Sequence, residues 1–410
     1  MANKPLQPEN PFFTGIDIPD DYFCDRQKET EKIVSLIGNG SNIVLKSPRR
    51  IGKSSLMKHV FRQKGVANKY YTLFVDIYGT KNAADFHAEF QNCILSAPFA
   101  KKARIRKTFE AMVKSAYLSL GGYDSLSGSF SLPRIGFTPA TMPKIPLQEL
   151  FAFLEACDKP VLVVFDEFQQ IQEYPERMAA ILRQHIQQMN NVRFIFSGSS
   201  RHILTTMFQL SNQPFYRSAV SMDLDILTLE SYTTFCEEMF AYKDAKIEPA
   251  AVEFAYYLFS GETYLLQELM KETYSTLSPG GIANKETVIA SIAEMLVRKD
   301  NDFRDIMSRL NNQKERNTLY CIAMEGIASG ITSSAIMKKY QLDNASAVQN
   351  ALENLGQDKL SLIEKIARGT YVIQDRLFEL WLASKSGVLE AKYNDAEARF
   401  IRQRKILFES

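Results

Sequence analysis

A chain of 410 residues with 45% hydrophobic and 23% charged side chains and a formal net charge of +2 carries core-forming material for two or three globular domains and no bias toward disorder. Its five cysteines (Cys24, Cys93, Cys157, Cys236, Cys321) include no close pair, which excludes a recognisable zinc cluster and argues against a disulfide framework; reduced, mostly buried thiols are expected. Met1–Pro8 lacks the apolar stretch of a signal peptide and no segment reaches the length of a membrane span, so a cytoplasmic location with no membrane partner is expected.

Apolar spacing predicts a helix over Glu29–Ile37, after which Asn39-Gly-Ser-Asn42 turns into a strand, Ile43-Val-Leu-Lys46. Ser47-Pro-Arg-Arg-Ile-Gly-Lys-Ser54 follows directly and leads into a helical pattern. A phosphate-binding loop needs a buried strand, a tight loop whose N–H groups converge on an anion, and a helix whose positive N-terminal end completes the cradle. All three parts are present, which makes Ser47, Pro48, Arg49, Arg50, Ile51, Gly52, Lys53, Ser54 and Ser55 candidate nucleotide contacts. Lys53 would reach the β- and γ-phosphates of ATP, and the Ser54 hydroxyl would ligate Mg2+. Ser47 stands where the usual loop has its first glycine; serine disfavours positive φ, so a differently built loop entry is expected.

Tyr71–Ile77 reads as the next strand. Asp85–Leu120 is helical in pattern and carries the basic run Lys101-Lys-Ala-Arg-Ile-Arg-Lys107, read as a solvated face. Gly121–Pro146 is rich in Gly, Ser and Pro, an insertion or mobile loop that would allow a short hairpin. Val161-Leu-Val-Val-Phe165 then has the composition of a strand buried on both faces and ends in Asp166-Glu167, at the tip where open α/β sheets bind ligands. Solvated acids on a capped strand would give the same letters, but beside the loop they fit Asp166 as a metal ligand and Glu167 as the group polarising the attacking water.

Val192-Arg-Phe-Ile-Phe196 supplies a third strand, ending in Ser197-Gly-Ser-Ser-Arg201, whose polar tip would sense the γ-phosphate. Together, Arg49-Arg50-Ile-Gly-Lys-Ser54, Phe165-Asp-Glu-Phe-Gln169, Phe196-Ser-Gly-Ser-Ser200 and Pro214-Phe-Tyr-Arg217 resemble the archaeal-type ATPase family, in the signalling (STAND) branch of the AAA+ ATPases. The resemblance runs from about Asn10 to Trp381. It implies ATP and Mg2+ as ligands, and an adenine pocket to which Phe23-Cys-Asp-Arg26 with Glu29 contributes, through Phe23 and Arg26. It also implies a sensor arginine at Arg201, where an exposed strand-end arginine fits equally, and a phosphate-facing Arg217, acting in its own or a neighbouring subunit, where a structural ion pair fits equally. Gly261-Glu-Thr-Tyr264 departs from the family's Gly-x-Pro, which puts in doubt an adenine contact at Thr263.

From Leu229 to Leu310 the pattern is helical, with Glu248-Pro249 as a start and Ser278-Pro-Gly-Gly281 as a break. Helices over Leu319–Ala328, Ser333–Tyr340 and Ala345–Leu355, then two strands around Ala367-Arg-Gly369, have the spacing of a winged helix-turn-helix. The candidate recognition helix, Asn344–Gly356, carries Glu353 and no Lys or Arg; Lys338, Lys339, Arg368 and the run Arg399-Phe-Ile-Arg-Gln-Arg-Lys405 supply some charge, so both weak DNA contact and a protein-facing winged helix stay open. Many relatives continue into a nuclease-like region, for which too little chain follows Trp381.

The expected fold is therefore α/β: a P-loop, AAA+-like parallel-sheet core over residues 10–228, a helical lid over 229–312, a winged helix over 313–384 and a helical tail over 385–410. The expected function is that of an ATP-dependent molecular switch and slow ATPase, with nucleotide bound between core and lid and a partner met through the winged helix. A DNA-binding ATPase of the replication-initiator type shares this domain order. A nucleotide-binding scaffold with little turnover is the third reading, against which the presence of both Asp166 and Glu167 argues. Oligomeric state is not legible.

Overall fold

The computed structural model describes residues 8–101, 144–310, 312–356 and 361–409. The basic run beyond Lys101, the helical pattern over 102–120 and the Gly/Ser/Pro-rich stretch up to residue 143 lie outside the described residues. The chain forms two compact units, Gly15–Asp225, and Met1–Thr14 with Ile226–Ser410. Among the described residues no helix is long and apolar enough to cross a membrane.

The first unit is built on a five-stranded, all-parallel sheet of order β2-β3-β4-β1-β5. Its strands are β1 (Ile43–Lys46), β2 (Tyr71–Asp76), β3 (Val161–Asp166), β4 (Val192–Gly198) and β5 (Val220–Asp223). All six residues of β3 are buried, as its unbroken apolar run requires of a central strand covered on both faces. Phe165, Phe168, Phe194, Phe196, Phe208 and Phe215 fill the space beside it, with ring centroids 4.6 Å apart for Phe168 and Phe196 and 5.1 Å for Phe196 and Phe208. The strand β5 escapes sequence reading because it is a short edge strand in which only Met222 is buried.

Register aligns the strand tips. Lys46 lies beside Gly198, Phe165 beside Phe196 and Asp166 beside Asp76, so β1, β2, β3 and β4 all end at one edge. The strand β4 stands between the loop-bearing β1 and the acid-bearing β3. What reaches from loop to acids must therefore cross the tip of β4.

The second unit contains helices Leu229–Ala241, Pro249–Leu258, Thr263–Thr276, Lys285–Arg298 and Asp300–Ser308, with two-residue parallel strands Lys246–Ile247 and Ile282–Ala283 that the helical pattern does not announce. A winged helix follows: helices Gln313–Glu325, Ser334–Lys339 and Ala345–Gly356, and strands Ala328–Ser329, Ile363–Ala367 and Thr370–Ile373 in the order first, third, second. Helices Arg376–Lys385, Leu389–Asn394 and Ala396–Glu409 close the chain. At their meeting point Glu379, wholly buried, is shared by Arg376, Lys392 and Arg399. Part of the basic tail is thus committed to the protein itself: Arg399 is buried, and Arg402 pairs with Asp395 at 2.6 Å. Of the five cysteines, all free thiols, four are buried and Cys93 is half-buried.

Candidate active site

Ser47 needs no positive φ. Its N–H donates to Gly198 O at 3.2 Å, which extends the β1–β4 ladder by one residue, and the left-handed turns fall later, at Arg50 (φ 60°) and Gly52 (φ 87°). Gly52 caps the helix Lys53–Arg62, so the glycine the loop requires is the one before the lysine. Arg26, itself at φ 69° and 5% exposed, donates from Nη1 to Glu29 at 2.9 Å and from Nη2 to Ile51 O at 3.4 Å, bracing the middle of the loop from below. Phe23 stacks on His59, ring centroids 4.2 Å apart.

At the tips, Lys53 Nζ contacts Asp166 Oδ1, Glu167 Oε1 at 3.1 Å and Ser197 Oγ at 3.2 Å. Asp166 accepts further bonds from Ser54 Oγ and Ser197 Oγ, each at 2.5 Å. Burial pushes the Asp166 carboxyl up, but the Lys53 ammonium and the two hydroxyls outweigh it and hold the group below the usual carboxylate range. Glu167, at φ 56°, shows the same balance: burial raises it, while Lys53, Gln169 and Ser199 hold it low. Its Oε2 accepts from Ser199 Oγ at 2.7 Å, Ser199 N at 3.3 Å and Gln169 Nε2 at 2.5 Å. Asp76, at the tip of β2, is raised by burial and by the charges of Asp166 and Glu167.

The structure thus gathers Lys53, Ser54, Asp166 and Glu167 at one edge. Ser197, Ser199 and Gln169 join them. Sequence reasoning had only the polar run after an apolar strand as a pointer to the two serines, and no reason to single out Gln169 by its spacing. Of the two other arginines, Arg201 donates to Leu224 O at 3.2 Å, and the Arg217 guanidinium lies 5.0 Å from the centroid of the Tyr216 ring. Thr263 is the first residue of the helix Thr263–Thr276, a position that accepts proline or threonine alike, so the departure from Gly-x-Pro leaves the backbone intact.

The Ser54 hydroxyl at the start of a helix and the Asp166 carboxylate at the tip of β3 form the oxygen donor set that Mg2+ takes from proteins when phosphates and water supply the remainder. Among the described residues no group of three or more His, Cys, Asp or Glu could hold a metal alone.

The family described as "ATPase domain predominantly from Archaea" matches residues 23–269, and one described as "Probable winged helix domain" matches residues 301–384. Among solved structures the chain is similar to the Walker-type ATPase PABY2304 of Pyrococcus abyssi, at 18% identity and a TM-score of 0.59, covering 91% of this chain and 99% of that one. It is also similar to the Aeropyrum pernix ORC2 protein in ADPNP-ADP complexes (13% identity, TM-score 0.53, 92% and 98% covered). The Aeropyrum pernix ORC1 protein in complex with DNA is a third likeness (14% identity, TM-score 0.50, 93% and 98% covered). At such identities the likeness is one of fold. No curated protein matches the chain.

Proposed function

Because the chain belongs to the ATPase family found predominantly in Archaea, we propose that it binds and hydrolyses ATP where the loop Ser47–Ser54 meets the tips of β3 and β4, and that the bound nucleotide sets the state of a molecular switch. One observation carries this reading: a buried ammonium, Lys53, is held among Asp166, Glu167 and Ser197 at the start of a helix. A triphosphate would draw Lys53 away from the acids, the anion replacing the carboxylates as its partner. Ser54 and Asp166 would hold Mg2+, which supplies charge neutralisation on the phosphate oxygens. Glu167 orients a water molecule and takes its proton as the water oxygen bonds to the γ-phosphorus and the bond to the bridging oxygen of ADP breaks. The loop from Ser47 to Ser55 supplies the cradle, with Arg26 supporting it through Ile51 O and Phe23 at the adenine end. Neither Arg201 nor Arg217 contacts Asp166 or Glu167 among the described residues, and basal hydrolysis is slow until a partner completes the site.

The winged helix serves as the reporter in this switch and faces a protein. The outer face of its helix Ala345–Gly356 presents Ser346, Gln349, Asn350 and Glu353, none of them a cation, whereas duplex binding rests on neutralised phosphates. Its location is the cytoplasm, and its place is in the STAND branch of the AAA+ ATPases.

The test is Glu167→Gln: ATP affinity by calorimetry stays within about twofold of the parent, while phosphate release falls by roughly 100-fold. An undiminished rate would move the base role to another residue, and absence of ATP binding in the parent would end the reading altogether.

A further inference from the structure

Gln169 lies two residues past the acid pair, on the short 3-10 turn Phe168–Gln172, with 6% of its surface exposed. An ionised carboxylate only accepts hydrogen bonds, so the amide must turn its NH2 end toward Glu167, as it does at 2.5 Å. The other end, Gln169 Oε1, finds no hydrogen-bond partner and lies against the backbone of β4. A Cβ placed on Gly198 would stand 2.0 Å from that oxygen and 3.2 Å from the amide carbon. Gly198 is therefore glycine for the room it leaves; its backbone is not left-handed. The next residue, Ser199, donates twice to the same Glu167 oxygen and accepts from Arg49 Nε at 3.4 Å.

The two oxygens of Glu167 are thereby divided. Oε1 meets only Lys53 among the contacts above, and Oε2 is fixed by Gln169 and Ser199. When Lys53 turns to phosphate, Oε1 is released and Oε2 is not. We propose that Gln169, wedged on Gly198 and assisted by Ser199, is the positioning residue that aims Glu167 Oε1 at the attacking water. This rests on the assignment of Glu167 as the base. Gln169 touches no reacting atom; it acts through Glu167 alone.

A double-mutant cycle tests it, with ATP hydrolysis, calorimetric ATP affinity and thermal unfolding measured on the full chain. Gln169→Ala should lower kcat between about 10- and 100-fold, the range expected when a reacting group is misplaced by a fraction of an ångström to one ångström, with ATP affinity unchanged. In a Glu167→Gln background the same substitution should cause no further loss. Gln169→Met keeps the volume without the donor and should lower kcat like Gln169→Ala, which guards against a merely unfolded alanine variant. Gly198→Ala should also lower kcat, and adding Gln169→Ala to it should recover the rate of Gln169→Ala alone. A full rate in Gln169→Met, or an equal fold-loss from Gln169→Ala with and without Glu167, overturns the proposal. A full rate in Glu167→Gln overturns the base assignment beneath it, an outcome read from a different variant.

Discussion

Arg399 Nη2 donates to Glu379 Oε2 at 3.1 Å with both side chains buried, which ties the last helix of the chain to the one that follows the winged helix. Glu379 faces two more cations, but each also serves a helix end. Arg376 Nε donates to Leu258 O at 2.8 Å, and Lys392 Nζ to Ala323 O and Met324 O at 2.7 and 2.8 Å. These carbonyls close the helices Pro249–Leu258 and Gln313–Glu325, whose negative ends absorb the surplus positive charge.

Removing the shared anion should therefore be severe. Glu379→Gln leaves three buried cations facing one another and should cost about 3–5 kcal/mol in denaturant unfolding. Burial pushes Glu379 up, but the three cations outweigh it, so the stability it contributes is present above the ordinary carboxylate range and is lost as pH falls through its lowered value. A loss below about 1 kcal/mol would show the cluster to be held by the helix ends alone.

At the sheet edge, Lys53→Ala removes the cation that the phosphates require. ATP affinity should fall by at least about 2 kcal/mol, a factor of roughly 30, with the unfolding transition retained. Isothermal titration of the two proteins decides it, and equal affinities would dissolve the site.

The same substitution should change acid sensitivity in a defined direction. Asp166 and Glu167 are depressed in the parent, so their contribution is complete above about pH 4 and is lost as pH falls through the lowered values. Without Lys53 burial is no longer opposed by an ammonium, and both acids should titrate higher. Protonation then costs the folded variant less than it costs the parent, so unfolding free energy from denaturant titration should fall less between neutral pH and about pH 3 in Lys53→Ala than in the parent; equal losses would mean the pairing contributes nothing.

For the winged helix and tail, Lys339 is paired with Glu325 at 2.8 Å, Arg402 with Asp395 at 2.6 Å, and Arg399 is buried, leaving Lys338, Lys365, Arg368 and Lys405 exposed. About four phosphate contacts imply a log-log salt slope no steeper than roughly −4. Fluorescence anisotropy of the full chain with duplex DNA at two salt concentrations should find weak, sequence-tolerant binding at most. Nanomolar affinity surviving at physiological salt would favour the initiator-like reading.

Much of the core was legible from periodicity and punctuation. The strands β1 and β3 are uninterrupted apolar runs ended by functional residues, and such runs announce buried parallel strands whatever surrounds them. The strand β5 was not legible, since an exposed edge strand of four residues has no apolar period to read. Nor was the division of labour around Glu167. Ser197 and Ser199 look like any polar strand end, and only the order of the sheet, with β4 between β1 and β3, brings them against the acids. The tail run Arg399–Lys405, read as charge available to the winged helix, gives up one member to a buried glutamate that no local pattern announces.

Arg26, Arg50 and Glu167 share a backbone conformation that side-chain-bearing residues rarely adopt, and all three border the phosphate loop and the acids. Each stores strain on the order of 1 kcal/mol, which the unfolded chain does not carry. The edge of the sheet is therefore one place where this protein is less stable than its fold would allow. Substitutions that relieve strain should stabilise the chain here as they would at Asp244, Ser260, Gln341 or Ser361, but the stabilised variants recovered at Glu167 should be the ones that have lost turnover.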